Sequence, residues 1–513
     1  MAKPKSKDVF TLIKSLKASE KRYFKQMFQS GRQADKKYVL LFDALEQQQT
    51  YNEAQLLATN ARLTPEQLPN LKAHLYSRIL QSLRLYHKTT SSDLQIRELL
   101  DYARILFNKG LYKLCHSRLQ NAKKLAHKYE HLEIQLEILK WEQYLLPHLI
   151  VKDYQNKVDT LIREATQITE RINHINKLNL LNIELNTLYL KIGFVRDHQD
   201  FQTVSQRLAQ RLPLREEQAL LPSEKIALFQ VYVGYYNFIQ DHEKAYTYAQ
   251  MWVDLLEEHE EFRLIRIESY IKALNYLMNA QERLFYYQDL QVTRKKLRSL
   301  WKKPPFPLQA HIQIKLFKYI YVHEFNRLFL LGEFRTGVQL MQKIRKDLEW
   351  FITKLDRHSQ LILYYKIACL YFGDEDYKEA IIWVNKIINL PDIALREDVH
   401  NFARILHLVC HYELGNTDVL DHYIRSTYRY LLKHNDYHQF QRYILQFLRG
   451  LNKTPDIPLK ERFCWLYDHL LPLEMHPFEK RAFTYFDILA WLQAKIQDRS
   501  VGDIVQEKVK KQM

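Results

Sequence analysis

Histidine pairs with helical spacing are the residues of this sequence that could most directly do chemistry. His407 and His411 lie four residues apart, so they would share one face of a helix, a geometry that can bind zinc. The stretch HEFNR at residues 323–327 begins like the helix of a zinc protease but lacks the second histidine. A looser group lies further on: His434, Asp436 and His438. Because none of these groups has an identifiable third ligand, we expect neither a metal site nor another cofactor.

The glycine pattern of residues 332–337 (GEFRTG) has the spacing with which a phosphate-binding loop starts. It continues with Val338 and Gln339, where such a loop has Lys and Ser or Thr. Neither a Gly-x-Gly-x-x-Gly nor a Gly-x-Ser-x-Gly sequence occurs in the chain. The missing catalytic motifs favour a protein that binds other molecules over an enzyme.

Positive charge is concentrated in two short segments of the chain. The net charge is +17, and residues 1–38 and 290–323 each contribute +8 of it. The second segment contains TRKKLRSLWKKPP, which could bind phosphates or an acidic partner, or could be a solubilising helix end whose lysines the helix dipole favours. Its candidate binding residues are Arg294, Lys295, Lys296, Arg298, Trp301, Lys302 and Lys303.

A second candidate group mixes arginine and tyrosine at helical spacing within RSTYRYLLK, residues 425–433. Arginine and tyrosine are enriched among the residues that dominate protein–protein interfaces, so Arg425, Tyr428 and Arg429 are candidate partner-binding residues. The alternative interpretation is that such aromatic rings fill gaps between helices.

Composition indicates long helices as the elements that position these residues. The chain has 513 residues, of which 47% are hydrophobic and only 10 are glycine, which predicts few tight turns. The four cysteines are far apart and lie in apolar stretches, as expected for buried free thiols in a reducing cytoplasm. The uncharged stretch 226–240 is too short to span a bilayer, so we expect a cytoplasmic protein without membrane association.

Several stretches repeat one pattern: a polar or glycine turn, an aromatic residue, a small or apolar residue, and further apolar positions four and seven residues later. This spacing predicts two antiparallel helices joined by the turn, with the small residue allowing the first helix to approach the second closely. The pattern residues of three stretches are Gly110, Tyr112, Cys115, Leu119 and Ala122; Gly332, Phe334, Gly337, Met341 and Ile344; and Tyr377, Ala380, Val384 and Ile387.

These residues resemble the second half of tetratricopeptide (TPR) repeats, in a degenerate form. The aligned positions Gly337, Ala380 and Leu420 lie 43 and 40 residues apart, whereas the standard repeat has about 34 residues. Most of the chain is also similar to uncharacterised bacterial helical-repeat proteins that open with a segment like KSLKASEKRYF, here residues 14–24. The resemblance implies an all-α fold, an α-solenoid of stacked antiparallel hairpins with repeats of about 40–43 residues.

We therefore expect a basic N-terminal helical bundle over residues 1–90, a TPR-like solenoid over 91–495 and a polar C-terminal tail over 496–513. A solenoid presents a long inner surface, which predicts a non-catalytic scaffold or adaptor that binds a protein or peptide. The alternative is a nucleic-acid-associated regulator that contacts phosphates through residues 1–38 and 290–323.

Overall fold

All secondary structure in the part of the chain that the structure describes is helical, which confirms the all-α fold class. The structure is a computed structural model that describes residues 7–29, 33–59, 63–88, 91–149, 153–212, 220–305, 308–390, 395–434, 436–451 and 458–512. Its α-helices are α1 (Asp8–Ser15), α2 (Ala18–Gln29), α3 (Gln33–Gln47), α4 (Glu53–Thr59), α5 (Leu68–His87), α6 (Ser92–Asn108), α7 (Tyr112–Lys128), α8 (Leu132–Leu145), α9 (Tyr154–Ile192), α10 (His198–Arg211), α11 (Pro222–Phe238), α12 (His242–Glu258), α13 (Glu260–Ile265), α14 (Ile267–Arg283), α15 (Tyr287–Lys302), α16 (Ala310–Leu330), α17 (Phe334–Ile352), α18 (Arg357–Gly373), α19 (Tyr377–Ile388), α20 (Glu397–Glu413), α21 (Thr417–Lys433), α22 (Gln439–Gly450), α23 (Leu459–Leu470), α24 (Ile488–Gln497) and α25 (Val501–Gln512).

Contacts divide the chain into two units, residues 1–172 and 173–513, with the boundary inside α9. In the first unit, α1–α5 share an apolar core in which the rings of Phe24 and Phe42 stack 4.7 Å apart. Helices α6–α8 have a separate core, which includes Cys115 and Leu119 of the first repeated stretch. The sequence-based domain limits, after residues 90 and 495, therefore differ from the contact-based division.

One tight turn recurs between consecutive helices. A residue with positive φ follows the first helix, and the next backbone N–H donates a hydrogen bond of 2.8–3.0 Å to the carbonyl five residues earlier. This is the Schellman arrangement that ends a helix and reverses the chain. The described turns of this kind are centred on Gly110, Glu130, Gln240, Phe285, Gly332, Glu375, Gly415 and Asp498.

The expectation of few tight turns, drawn from the low glycine content, is wrong. Five of the eight turns place a non-glycine residue in the left-handed region, with φ between 51° and 63°. Such a conformation costs an L-residue about 1 kcal/mol relative to glycine, and the packing of the two helices that the turn connects compensates for it. From Gln240 to Gly415, successive turns lie 40 to 47 residues apart.

Packing in the second unit follows the order of the hairpins. The turns at 240, 285, 332, 375 and 415 join the pairs α11–α12, α14–α15, α16–α17, α18–α19 and α20–α21. The first helices of successive pairs also contact each other, α14 with α16, α16 with α18, and α18 with α20. The apolar stripes of these helices form the buried core of the unit.

Gly337 on α17 shows why the repeated pattern has a small residue. A Cβ at this position would lie 2.8 Å from a methyl carbon of Leu370 on α18. The small residue thus allows α18, the first helix of the following hairpin, to pack closely against α17. The sequence analysis expected the close approach within a single hairpin, between its own two helices.

The C-terminal segment differs from the predicted polar tail, because residues 501–512 form α25. Val501, Ile504, Val505 and Val509 lie on one side of this helix and are buried. The side chain of Gln506 donates a 3.2 Å hydrogen bond to the carbonyl of Gly332, so α25 packs on the α16–α17 turn. The polar residues between these apolar positions obscure their helical spacing in the sequence.

A buried ionic cluster connects distant parts of the second unit. The Arg396 guanidinium donates two 2.8 Å hydrogen bonds to the Asp398 carboxylate, and others to the hydroxyls of Tyr189 (3.1 Å) and Tyr485 (3.0 Å). A Cβ at Gly193 would overlap the same carboxylate. The cluster thereby fixes the end of α9 against the start of α20.

None of the described helices combines the length and apolar character that crossing a bilayer requires.

Candidate binding face

Four cations on α14, α16 and α18 form a surface that we call the cationic face: Lys272, Arg283, Lys318 and Lys366. Each of the four side chains is half-buried. Lys272 also reaches back to α11, where its ammonium donates a 3.4 Å hydrogen bond to the Gln230 side-chain oxygen. All four cations belong to residues 173–513 and lie on first helices of consecutive hairpins.

The lysines of the cationic face hydrogen-bond to neutral groups. Lys318 donates to the hydroxyl of Ser359 at 3.0 Å, and Lys366 donates to the side-chain oxygen of Asn326. Among the described residues, neither these lysines, nor Lys272, nor Arg283 has a carboxylate within salt-bridge distance. The three lysines are therefore hydrogen-bonded to neutral groups, and none of them forms a direct ion pair with a described carboxylate.

Burial lowers the pKa of each cation on this face. Desolvation lowers the pKa of Lys366 from 10.5 to about 8, an effect that Glu282 opposes and that Arg283 and Arg396 reinforce. Desolvation also lowers the pKa of Lys272, Lys318 and Arg283. The direction of these shifts means that the folded protein holds the charged forms at a cost in free energy.

Three carboxylates near the cationic face, Glu268, Glu282 and Asp356, have other partners. Glu268 pairs with Lys315 and lies 3.3 Å from the His311 imidazole. Glu282 contacts the imidazole of His323 at 2.7 Å and accepts a 2.6 Å hydrogen bond from the Asn326 amide. Asp356 caps α18 by accepting a hydrogen bond from the backbone N–H of Ser359 at 2.9 Å. Their charges therefore only partly offset those of the lysines.

Two tyrosines lie on the same face. The Lys318 ammonium is 4.7 Å from the centre of the Tyr319 ring, and Lys272 is 6.0 Å from that of Tyr276. Burial raises the pKa of Tyr276 to about 12 and that of Tyr319 as well, so both phenols stay protonated at neutral pH. The face thus combines cations, hydroxyl donors and aromatic rings.

Only Lys318 lies within a predicted basic segment, 290–323, and sequence reasoning did not single out the lysines of the cationic face because each of them is isolated. It stands alone between apolar or aromatic neighbours, in YIKAL, LFKYI and YYKIA. A cluster of charge is easy to notice, whereas a single lysine in an apolar helix reads as a lysine that extends its ammonium to solvent. The usable signal was the recurrence of a lone lysine beside a tyrosine or isoleucine on three successive first helices.

The predicted basic patch lies on α15, and the structure pairs half of it with acids. Arg294 and Arg298 both donate to one oxygen of Glu324, at 2.9 and 2.6 Å, and Lys296 pairs with Glu257 at 2.7 Å. These three residues are part of the packing between helices.

The other members of the predicted patch are exposed. Trp301 is 41% exposed, and its ring centre lies 6.3 Å from that of Phe351 in an edge-to-face arrangement. Lys295, Lys302 and Lys303 are exposed and have no acidic partner among the described residues. The freely accessible part of the patch is therefore one tryptophan and three lysines.

The Arg–Tyr group lies on α21, apart in the sequence from α15. The ring of Tyr428 is half-buried between the edge of Tyr437 and the guanidinium of Arg449, 4.8 Å from its centre. Arg429 is exposed, and Arg425 donates a 3.3 Å hydrogen bond to the backbone carbonyl of Asp421. Tyr428 thus takes part in packing, while the two arginines remain accessible.

The histidines singled out by spacing contact neighbouring side chains. The His407 and His411 Nε2 atoms lie 3.2 Å apart, and burial, with the nearby His411 and Arg404, lowers the pKa of His407 to about 3. His323 is buried, and its two ring nitrogens contact the Glu282 carboxylate at 2.7 Å and the Asn275 side-chain oxygen at 3.1 Å. Within the described ranges, no three His, Cys, Asp or Glu side chains group as ligands of a metal ion.

The remaining group, in the turn after α21, is part of an ion cluster. Asp436 is buried against Arg481 and lies 3.2 Å from the His438 imidazole. His434 is 3.7 Å from Glu397. The phosphate-loop-like stretch 332–337 begins with the α16–α17 turn at Gly332 and continues into α17, where Gly337 is packed against Leu370.

Part of the N-terminal basic segment lies outside the described residues, at 1–6 and 30–32. Within the described part, Lys25 pairs with Asp43 at 2.7 Å and with Glu46 at 2.8 Å. Lys21 pairs with Glu46 at 3.0 Å. These contacts neutralise part of the +8 charge that the sequence assigns to residues 1–38.

A cavity of about 570 Å³ lies between α10 and the α11–α12 turn. Its wall includes the hydroxyls of Ser205 and Tyr235, which hydrogen-bond to each other at 2.9 Å. Lys244, also in the wall, pairs with Asp241 at 3.3 Å. The lysine in this wall therefore has a carboxylate partner, whereas the lysines of the cationic face hydrogen-bond only to neutral groups.

Comparisons of the chain with protein-family models, with curated proteins and with solved structures find no match.

Proposed function

We propose that the protein is a non-catalytic scaffold or adaptor, an α-solenoid of TPR-like hairpins that binds a protein or peptide partner along its first helices. The observation that carries the proposal is the cationic face together with Tyr276 and Tyr319. Core positions of packed helices are apolar, whereas this surface places cations and hydroxyls side by side with solvent access. Such a polar surface with aromatic members is typical of a binding site.

The order of helix contacts supports the same proposal. First helices that contact one another in succession form a continuous surface several helices wide. A partner chain can make contacts on each helix in turn, as in other helical-repeat proteins. Regular turns of the same geometry keep the first helices in register.

Affinity capture from the native cell with paired baits tests the proposal. The variant Tyr276→Ala/Tyr319→Ala changes the proposed face, and Trp301→Ala removes an exposed ring elsewhere. We expect wild type and Trp301→Ala to retain the same stoichiometric protein, and the double variant to lose it, with at least about a tenfold higher Kd for the purified partner. If all three baits recover the same proteins with equal affinity, or none recovers a stoichiometric partner, the proposal is wrong.

A nucleic-acid-associated regulator is the second candidate, and Lys295, Lys302 and Lys303 favour it because they are exposed and unpaired among the described residues. The ion pairs of Arg294, Lys296 and Arg298 count against it. Binding through phosphates would weaken steeply with salt, because displaced counterions return. A gel shift at low salt that the triple variant Lys295→Gln/Lys302→Gln/Lys303→Gln abolishes would favour this candidate over the first.

A further inference from the structure

The cationic face carries more positive charge than its surroundings neutralise. Its lysines donate to amide and hydroxyl oxygens of Gln230, Ser359 and Asn326, and these groups carry no charge. A desolvated cation without a counter-charge costs free energy. Because such a cation lies on each of three successive first helices, we expect these cations to have a function that compensates for this cost. An anion from outside the chain would supply the missing counter-charge.

The dimensions of the face exclude a single small anion as the ligand for all four cations. Lys272 and Arg283 are eleven residues apart on α14, which corresponds to about 16 Å along the helix. Neighbouring packed helices lie about 8–10 Å apart, so α14 and α18 are about 20 Å apart across α16. A phosphate or a carboxylate spans only a few ångströms, so the ligand must present several separated negative charges.

We propose that the cationic face binds an extended acidic peptide segment of the partner, with carboxylates about three residues apart. This inference rests on the proposed function, since it assigns a chemistry to the partner of the same face. Three residues of extended chain cover about 10 Å, which matches the step from one first helix to the next. Carboxylates at this interval could meet cations on α14, α16 and α18 in turn.

The neighbouring groups favour a peptide over a nucleic acid. The cations are half-buried, so a carboxylate on a flexible Asp or Glu side chain can reach between the helices, whereas nucleic-acid phosphates bind best to exposed lysines and arginines. The side-chain amide of Gln230 lies beside Lys272, and its N–H groups can donate to a peptide main-chain carbonyl. The exposed lysines of α15 lie outside the cationic face and serve as a control.

Fluorescence anisotropy with purified full-length protein tests the inference. The probe is a labelled 13-residue peptide with Glu at every third position and Ser and Gly between these positions. Two control probes are the same peptide with Gln in place of Glu and a 12-nucleotide oligothymidine. We expect saturable binding of the Glu peptide, no binding of the Gln peptide, and an affinity that falls as salt rises.

Matched triple variants locate the binding site. Lys272→Gln/Lys318→Gln/Lys366→Gln removes three positive charges from the cationic face and keeps polar groups that can hydrogen-bond to the same neighbours. Lys295→Gln/Lys302→Gln/Lys303→Gln removes the same amount of charge from α15 and the residue that follows it. We expect the first variant to weaken binding of the Glu peptide at least about tenfold and the second to change it less than about twofold. Circular dichroism and the thermal midpoint confirm that both variants fold.

Three outcomes would overturn the inference: no binding of the Glu peptide, equal losses in both triple variants, or tighter face-dependent binding of the oligothymidine than of the peptide. The proposed function fails separately. If the captured partner depends on Tyr276 and Tyr319 but binds equally well to the cationic-face triple variant, the adaptor proposal stands and the acidic segment does not.

Discussion

The Lys366 ammonium donates a hydrogen bond to the side-chain oxygen of Asn326, and the amide of Asn326 donates one to Glu282. The cation and the carboxylate are thus connected through a neutral group. Glu282 therefore acts on Lys366 through space without forming a direct ion pair with it, because the Asn326 side chain lies between them. Because Lys366 has no direct ion pair, this relationship supports the proposal that the first helices form a binding face.

Replacement of Lys366 by glutamine should stabilise the free protein near neutral pH. The pKa of Lys366 is about 8 in the folded protein and 10.5 in the unfolded chain. Below pH 8 both states hold the proton and the folded state bears the full desolvation cost. Between about pH 8 and 10.5 the unfolded chain binds more protons, so the stability of the wild type rises with pH.

Thermal unfolding from pH 7 to pH 10.5 measures this effect. We expect Lys366→Gln to exceed the wild type by on the order of 2 kcal/mol at pH 7, and this advantage to shrink toward pH 10.5. Comparing the two proteins at each pH cancels the titration of the tyrosines. A pH-independent difference, or a less stable variant at pH 7, would show that the lysine is not held at a cost.

Asp398→Asn should destabilise the second unit strongly. The substitution keeps the shape of the side chain but leaves the buried Arg396 guanidinium without its counter-charge. Loss of one partner from a buried pair costs about 3–5 kcal/mol. Glu349→Gln breaks an exposed pair with Arg345 and should change stability by less than about 0.5 kcal/mol. Similar thermal midpoints for the two variants would contradict the role given to the Arg396 cluster.

Glu375→Gly should raise stability at the α18–α19 turn. Glu375 is exposed and has φ of 63°, a conformation that glycine adopts without a Cβ clash. We expect a gain of about 0.5–1 kcal/mol in the free energy of unfolding. Lys343→Gly, at an exposed position inside α17, should instead cost about 1 kcal/mol. A loss of stability in both variants would mean that the turn tolerates its non-glycine residue without strain.

His407→Gln should reduce the acid sensitivity of the protein. Burial lowers the pKa of His407 to about 3, so its contribution to stability is complete above pH 6.5 and is lost as pH falls toward 3. The variant should therefore lose less stability than the wild type between pH 6.5 and pH 4. Parallel midpoint curves over that range would mean that His407 takes up a proton in the folded protein as easily as in the unfolded chain.

The helical fold and several hairpin positions could be predicted because packing leaves a regular trace in the sequence. Cys115, Leu119 and Ala122 are buried on α7, and Tyr377 is the first residue of α19. The turns at Phe285 and Glu375 could not be predicted from glycine content, since their left-handed conformations are compensated by helix packing that only the folded chain provides.

The candidate site was harder to predict than the fold. A run of charge such as TRKKLRSLWKK draws attention, yet Arg294 and Arg298 converge on Glu324, which lies 26 or more residues away in the chain. Lys318 and Lys366 have no such run, and their shared surface depends on which helices pack side by side. Ion pairs with residues distant in the sequence therefore neutralise part of the predicted patch, whereas Lys318 and Lys366 form no such pair with a described residue.

Site-specific photo-crosslinking in the native cell tests the central claim most directly. A photoreactive phenylalanine derivative replaces Tyr319 on the cationic face in one protein and exposed Lys343 on α17 in another. We predict a discrete crosslinked adduct to another protein from position 319 and none from position 343. Adducts of equal yield from both positions, or from position 343 alone, would contradict the assignment of the first helices as the binding surface.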